Sequence, residues 1–206
     1  MRRTNNYFSF NLQNITPYLP FLIMSAIYIV GILCGCITVG KFEFLSNFAT
    51  EKFNEYFSIR EELNFYSIFL NSLTTTFPLY IVMFLCGTSA VGFIASPIIV
   101  ILNGFTYGCV SGHLCATYKL EGIMFNALVY LPFMLISAFG IIILSCESFS
   151  FSRLIAGICI KANKPVNIYH NFKTYCIRGL ISLSFALISV LTDSALSTLF
   201  ISFFDF

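Results

Sequence analysis

The chain has 206 residues, 58% hydrophobic and 10% charged, with a net charge of +2 and a mean hydropathy of +0.87. A soluble domain carries about a quarter charged residues, so this composition excludes one and implies an integral membrane protein, read as a single domain over 1–206. The small net charge gives no case for nucleic acid as a partner; the lipid bilayer is the partner the composition demands. In lipid, only helices or a closed barrel satisfy their own backbone polar groups. Barrel strands alternate apolar and polar residues, whereas the runs here are apolar on all sides. The expected fold class is all-α: a polytopic helical membrane bundle of five transmembrane helices plus short amphipathic helices.

Residues 1–17 are polar and include Arg2 and Arg3. The apolar run 18–39 follows, its start marked by Pro17 and Pro20, since proline is tolerated in a first helical turn. A signal peptide shares this layout, but the run is too long for a signal core and lacks an A-x-A-like cleavage site. It is read as a retained first span.

Segment 41–67 holds Lys41, Lys52 and Arg60 against Glu43, Glu51, Glu55, Glu61 and Glu62. Phe42, Leu45, Ala49, Phe53 and Tyr56 recur between these charges at helical spacing. The pattern predicts an amphipathic helix on the membrane surface or against the bundle, as a packing element or a partner-binding one.

The second span, 68–86, is the most polar. It carries Asn71, Thr74, Thr75, Thr76 and Pro78, and such groups face protein or water rather than lipid. An uncharged break with Gly87 and Gly92 follows at 87–93; with Pro97 it reads as a tight turn or a re-entrant elbow. Between residues 87 and 146 the charges are Lys119 and Glu121, both in one short turn at 117–122. The third and fourth spans, 94–116 and 123–146, flank that turn. Gly104, Gly108 and Gly112 fall on one face of the third span, a spacing that lets another helix backbone approach closely in lipid. Pro132 removes one backbone hydrogen bond from the fourth and is expected to kink it.

Segment 147–179 holds Arg153, Lys161, Lys164, Lys173 and Arg178 against Glu147. Its apolar part, 149–160, is expected to form a separate interfacial or re-entrant helix that stops at 161–165. The last span is 180–204, followed by Asp205 and Phe206. With the N-terminus in the cytoplasm and the C-terminus outside, seven basic residues lie inside (Arg2, Arg3, Arg153, Lys161, Lys164, Lys173, Arg178) and four outside (Lys41, Lys52, Arg60, Lys119). That bias follows the positive-inside rule.

Asp193 is the one acid deep inside a span, where a carboxylate costs about 2.5–3.5 kcal/mol on insertion scales. Ser182, Ala186, Ser189 and Ser197 share its helical face. It is either an ion or proton site, or an interhelical hydrogen-bond partner of Asn103, Asn126 or the threonines at 74–76. No span supplies a basic residue to pair with it. His113 sits near the outer end of the third span, within reach of interfacial water. The eight cysteines form no CxxC pair and fall mostly in apolar runs, which suits packing; no Cys/His cluster has metal-ligand spacing, and few cysteines face the oxidising side. No GxSxG, HExxH or phosphate-loop motif is present. The expectation is no catalytic, cofactor-binding or metal site, and so no enzyme.

The stretch FLCGTSAVGFIASPIIVILNGFTYGCVSG, then EGIMFNALVYLP, resembles stage II sporulation protein M, a family of small polytopic membrane proteins. Gly87, Ser89 and Gly92 match the family's G-x-S-x-x-G elbow. Pro97, the spaced Gly104, Gly108 and Gly112, the turn glycine Gly122 and the Leu131-Pro132 pair complete the likeness over roughly residues 78–150. The resemblance implies a non-enzymatic role in endospore formation at a bacterial plasma membrane. There the family helps the mother cell engulf the forespore, anchoring a complex in which a peptidoglycan hydrolase and a second subunit thin the septal peptidoglycan. A homo-oligomer fits the same role. Because relatives also occur beside transporter genes, the alternative is a membrane subunit working with a separate ATPase, its features Asp193, the polar second span, the 87–93 elbow and the basic inside segment.

Overall fold

A hydrocarbon core about 30 Å thick asks for roughly 20 apolar residues per helical crossing. The computed structural model describes residues 19–61, 64–160 and 168–203. In it, five helical stretches meet that length and composition: α1 (Leu19–Val39), α3 (Phe65–Gly87), α4 (Gly92–Thr117), the run Lys119–Cys159 and α7 (Ile168–Phe200). Helix α2 (Glu43–Glu61) lies between the first two crossings. The protein is an all-α polytopic bundle. The polar segment 1–17 with Arg2, Arg3 and Pro17, the stop at 161–165 with Lys161 and Lys164, and Glu62, Asp205 and Phe206 lie outside the described residues.

The fourth crossing is composite. It comprises α5 (Lys119–Phe125), a π-helical turn at Asn126–Tyr130 and α6 (Leu131–Ile160). The widened turn lies directly before Pro132, whose ring has no N–H to return to the preceding turn; a π turn is one of the standard accommodations of such a defect. The reversal before it is tighter than the sequence indicates, because α5 begins already at Lys119, which takes a left-handed φ of 49°.

Two expectations are corrected. Residues 149–160 form no separate helix but continue α6, and α7 starts at Ile168 rather than at 180. Nothing in Glu147-Ser148-Phe149-Ser150 breaks a helix; what changes there is polarity. Glu147 pairs with Arg178 at 2.5 Å, on the partly exposed flank of the α6–α7 hairpin. Beyond this pair Phe151 stacks on Tyr175 at 4.9 Å and meets Phe172 at 5.8 Å, so the two helices remain packed. At ~1.5 Å per residue the 33-residue α7 is about 50 Å long, well over the hydrocarbon thickness.

Side-chain partners fix the directions. Tyr28, Ile32 and Cys36 of α1 lie beside Gly104, Gly108 and Gly112 of α4 in the same order, so the two run parallel. Ser182 and Ser189 of α7 donate to the carbonyls of Gly140 and Phe133, so α6 and α7 are antiparallel. The α1–α4 seam is built from glycines on both sides. A Cβ on Gly104 or Gly108 would strike the carbonyl of Tyr28 or Ile32, and one on Gly31 or Gly35 would strike that of Ile101 or Phe105. The Cys36 thiol donates to the Gly108 carbonyl at 3.2 Å, one use of a cysteine inside a span.

Segment 87–93 is a tight turn, four residues between the end of α3 and the start of α4. Ser152 of α6 clamps it: its hydroxyl donates to the Ser89 carbonyl at 2.6 Å and accepts from the Phe93 N–H at 2.8 Å. Gly92 is needed for close approach, since a Cβ there would overlap the Cys86 carbonyl. Beside Gly87, the Tyr175 hydroxyl donates to the Phe84 carbonyl at 2.7 Å and leaves no room for a side chain. Pro97 sits within the second turn of α4, next to the fully buried Ser96.

Candidate polar site at the buried end of α2

Along α2, Ala49, Phe53, Phe57 and Arg60 form one buried stripe, while Glu51, Lys52 and Glu55 face out. The helix therefore packs against the bundle. Phe53 and Phe57 meet Phe125 at 6.0 and 6.3 Å, and Tyr56 meets Tyr130 edge-on at 5.7 Å. Thr50 is bonded to Nε2 of His113 at 3.3 Å, which ties α2 to the end of α4 and accounts for that histidine structurally.

The last residue of the stripe carries a charge. Arg60 is 1% exposed and its guanidinium is ion-paired with Asp193, itself 0% exposed. The guanidinium also donates to the Tyr56 carbonyl at 2.7 Å, to Ser72 of α3 at 2.9 Å and to Ser197 of α7 at 3.1 Å, and it lies 3.3 Å from the Tyr56 ring centroid. Asp193 in turn accepts from the Tyr56 hydroxyl at 2.5 Å and from the Ser72 hydroxyl. Burial, reinforced by the Asp193 carboxylate, pushes the Tyr56 hydroxyl well above its ordinary range, so it stays a donor. Two buried charges with this many partners are satisfied, whereas either alone is costly.

The expectation that no span supplies a basic residue for Asp193 stands, yet the carboxylate is paired, with Arg60 of α2. The partner comes from a helix that does not cross the membrane, so no inspection of the spans finds it. Nor are Asn103 and Asn126 its hydrogen-bond partners. Asn126 accepts from Ser111 at 3.2 Å, away from the pair. The Oδ1 of Asn103 is buried with no hydrogen-bond partner among the described residues. Of the serines on the Asp193 face, Ser182 and Ser189 bond α6 and Ser197 bonds Arg60. Tyr56, Arg60 and Ser72 are the site residues the sequence reading missed. The one signal for Arg60 is its register, three residues after Phe57 on the apolar face of α2.

Beside the pair lies a cavity of about 360 Å³ among α2, α3, α4, α6 and α7. Asn71, Thr75 and Thr76 of α3 face Asn103, Thr106 and Tyr107 of α4 across it, with Asp193 and Arg60 on its wall. Asn71, Thr75 and Thr76 of the second span thus line a shared interior, whereas Thr74 is exposed and returns its hydroxyl to the Leu70 and Asn71 carbonyls of its own helix. Among the described residues, no group of three His, Cys, Asp or Glu side chains is placed to hold a metal.

A family model described as stage II sporulation protein M matches residues 24–202. No curated protein and no solved structure matches the chain.

Proposed function

Since the chain belongs to the stage II sporulation protein M family, we propose that it is a non-enzymatic membrane scaffold for engulfment during sporulation. In this reading it assembles a peptidoglycan-remodelling complex, including a membrane-anchored peptidoglycan hydrolase, at the septal plasma membrane. The observation that carries the proposal is the family match over residues 24–202. The interior is consistent with it. The Ser182 and Ser189 hydroxyls, the Arg60–Asp193 pair and the glycine seam serve helix-to-helix contacts. The positive-inside bias supports an N-inside, C-outside orientation. In that orientation α2, with Phe44 exposed near its start, would lie on the outer face, within reach of a septal partner. Co-purification from native membranes with identification of bound proteins is the test. Recovery of a peptidoglycan hydrolase, together with an engulfment defect in a deletion strain, is the expected result; a deletion strain that engulfs normally would sink the reading.

A second reading, a transporter subunit working with a separate ATPase, is favoured by one observation: the polar cavity that reaches Asp193 and Asn103. Recovery of an ATPase and no hydrolase in the same purification would select it.

A further inference from the structure

We propose that the cavity bounded by α2, α3 and α4 is a binding site for an uncharged, hydroxyl-bearing ring molecule of the sugar class. Its volume of about 360 Å³ lies within the range of small-molecule sites, roughly 300–1,000 Å³. The charge pattern selects against ions. Four charged side chains line it, and they cancel in two pairs: Lys52 with Glu55 at 2.8 Å near the rim, and Arg60 with Asp193 inside. A charged ligand would shed its water and find no unpaired countercharge. What remains for recognition is neutral. Asn71, Thr75 and Thr76 supply amide and hydroxyl groups from α3. From α4, Asn103 offers a buried Oδ1 that accepts from nothing among the described residues and so calls for an O–H or N–H donor. The rest of the lining is aromatic: Tyr107, also on α4, meets Tyr130 at 5.8 Å and Phe133 at 6.0 Å edge to face, and these rings offer apolar contact to the C–H face of a saturated ring. Access lies between α3 and α4, where Thr75 is exposed. A molecule with a hydroxylated edge and an apolar face matches both parts of this lining together.

The same chemistry is offered by a free sugar from the aqueous side and by the headgroup of a glycolipid entering between α3 and α4. The test uses the full chain in lipid nanodiscs, its melting followed with a thiol-reactive dye that, above the baseline of the exposed thiols, reports exposure of the buried Cys109 and the half-buried Cys86, Cys146 and Cys176. N-acetylglucosamine and methyl glucoside are the probes, with choline and glutamate as charged comparators. The expected result is a saturable rise in melting temperature with the uncharged sugars alone. In Asn103→Leu the fold should persist, since the change removes an unpaired buried amide, and the apparent affinity should fall at least about tenfold. Thr75→Phe, which fills the access, should abolish the rise. Competition between the soluble sugar and a monoglycosyl diacylglycerol added to the nanodisc would support the proposal with a lipid source; a sugar response without competition would support it with a soluble one. The proposal is overturned if no uncharged sugar gives a saturable shift, if choline or glutamate shifts the melt equally, or if both variants respond like the parent chain.

Discussion

Arg60 and Asp193 lie 133 positions apart and meet inside the bundle, one from a helix that does not cross the membrane and one from the last span. The pair anchors the end of α2 between α3 and α7, and Ser72 and Ser197 complete its hydrogen bonds. Its energetics are asymmetric. Removing one partner of a buried ion pair costs about 3–5 kcal/mol, because the other charge is left uncompensated, whereas replacing both by apolar residues is neutral or stabilising. Arg60→Met and Asp193→Leu should therefore each lower the melting temperature sharply in nanodiscs, and the double variant should recover most of the loss. Additive losses in the double variant would show that the two side chains are not coupled.

The glycine seam gives a second test. Gly108 lies against the Ile32 backbone, so Gly108→Leu forces α1 away from α4 and should lower the amount of protein recovered from membranes. Gly157, with nothing within 4 Å of its missing Cβ, is the comparison, and Gly157→Leu should be tolerated. Equal recovery of both variants would mean that α1 does not lean on this face.

At the α3–α4 turn the test is a single hydroxyl. Ser152→Ala removes the acceptor of the Phe93 N–H and the donor to the Ser89 carbonyl, and the orphaned groups should cost about 1–3 kcal/mol. Ser150→Ala, which loses only an exposed bond to the Cys146 carbonyl of its own helix, should melt like the parent. If the two variants melt alike, the clamp contributes nothing.

The crossings are legible in the sequence because an apolar run of about 20 residues has few alternatives in lipid. The face of Gly104, Gly108 and Gly112 is legible for the same reason, since i, i+4 spacing is a property of one helix. Its partner is not, because Gly31 and Gly35 become a partner face only once α1 is placed beside α4. The extensions of α6 and α7 were hidden by a different effect. Composition turns polar at Glu147 and Arg178, but the helices continue past both. Arg60 is the hardest case. A charge on an amphipathic helix normally faces water, and only the buried acid opposite it makes burial affordable.

Orientation is open to a direct reading. A reporter that fluoresces only in the cytoplasm should be dark when fused after Phe206 and bright when inserted between positions 163 and 164. The reverse pattern would place the α2 face inside, and with it the cavity entrance and the proposed septal contacts.

The last prediction separates scaffold from transporter at the ion pair itself. Asp193→Asn keeps the shape of the side chain and an acceptor for the Tyr56 hydroxyl, but it strands the Arg60 charge, so loss of function in that variant alone decides nothing. The combination Arg60→Met with Asp193→Leu removes both charges without stranding either. If the pair only holds α2 in place, a strain carrying the double variant at parental protein levels should sporulate like the parent. If a proton or solute must exchange with the pair during a transport cycle, the same well-folded variant should be inactive, because neither new side chain titrates or donates a hydrogen bond. The scaffold reading predicts the first outcome. A double variant that melts like the parent, reaches the membrane in normal amount and fails to support engulfment would count against it.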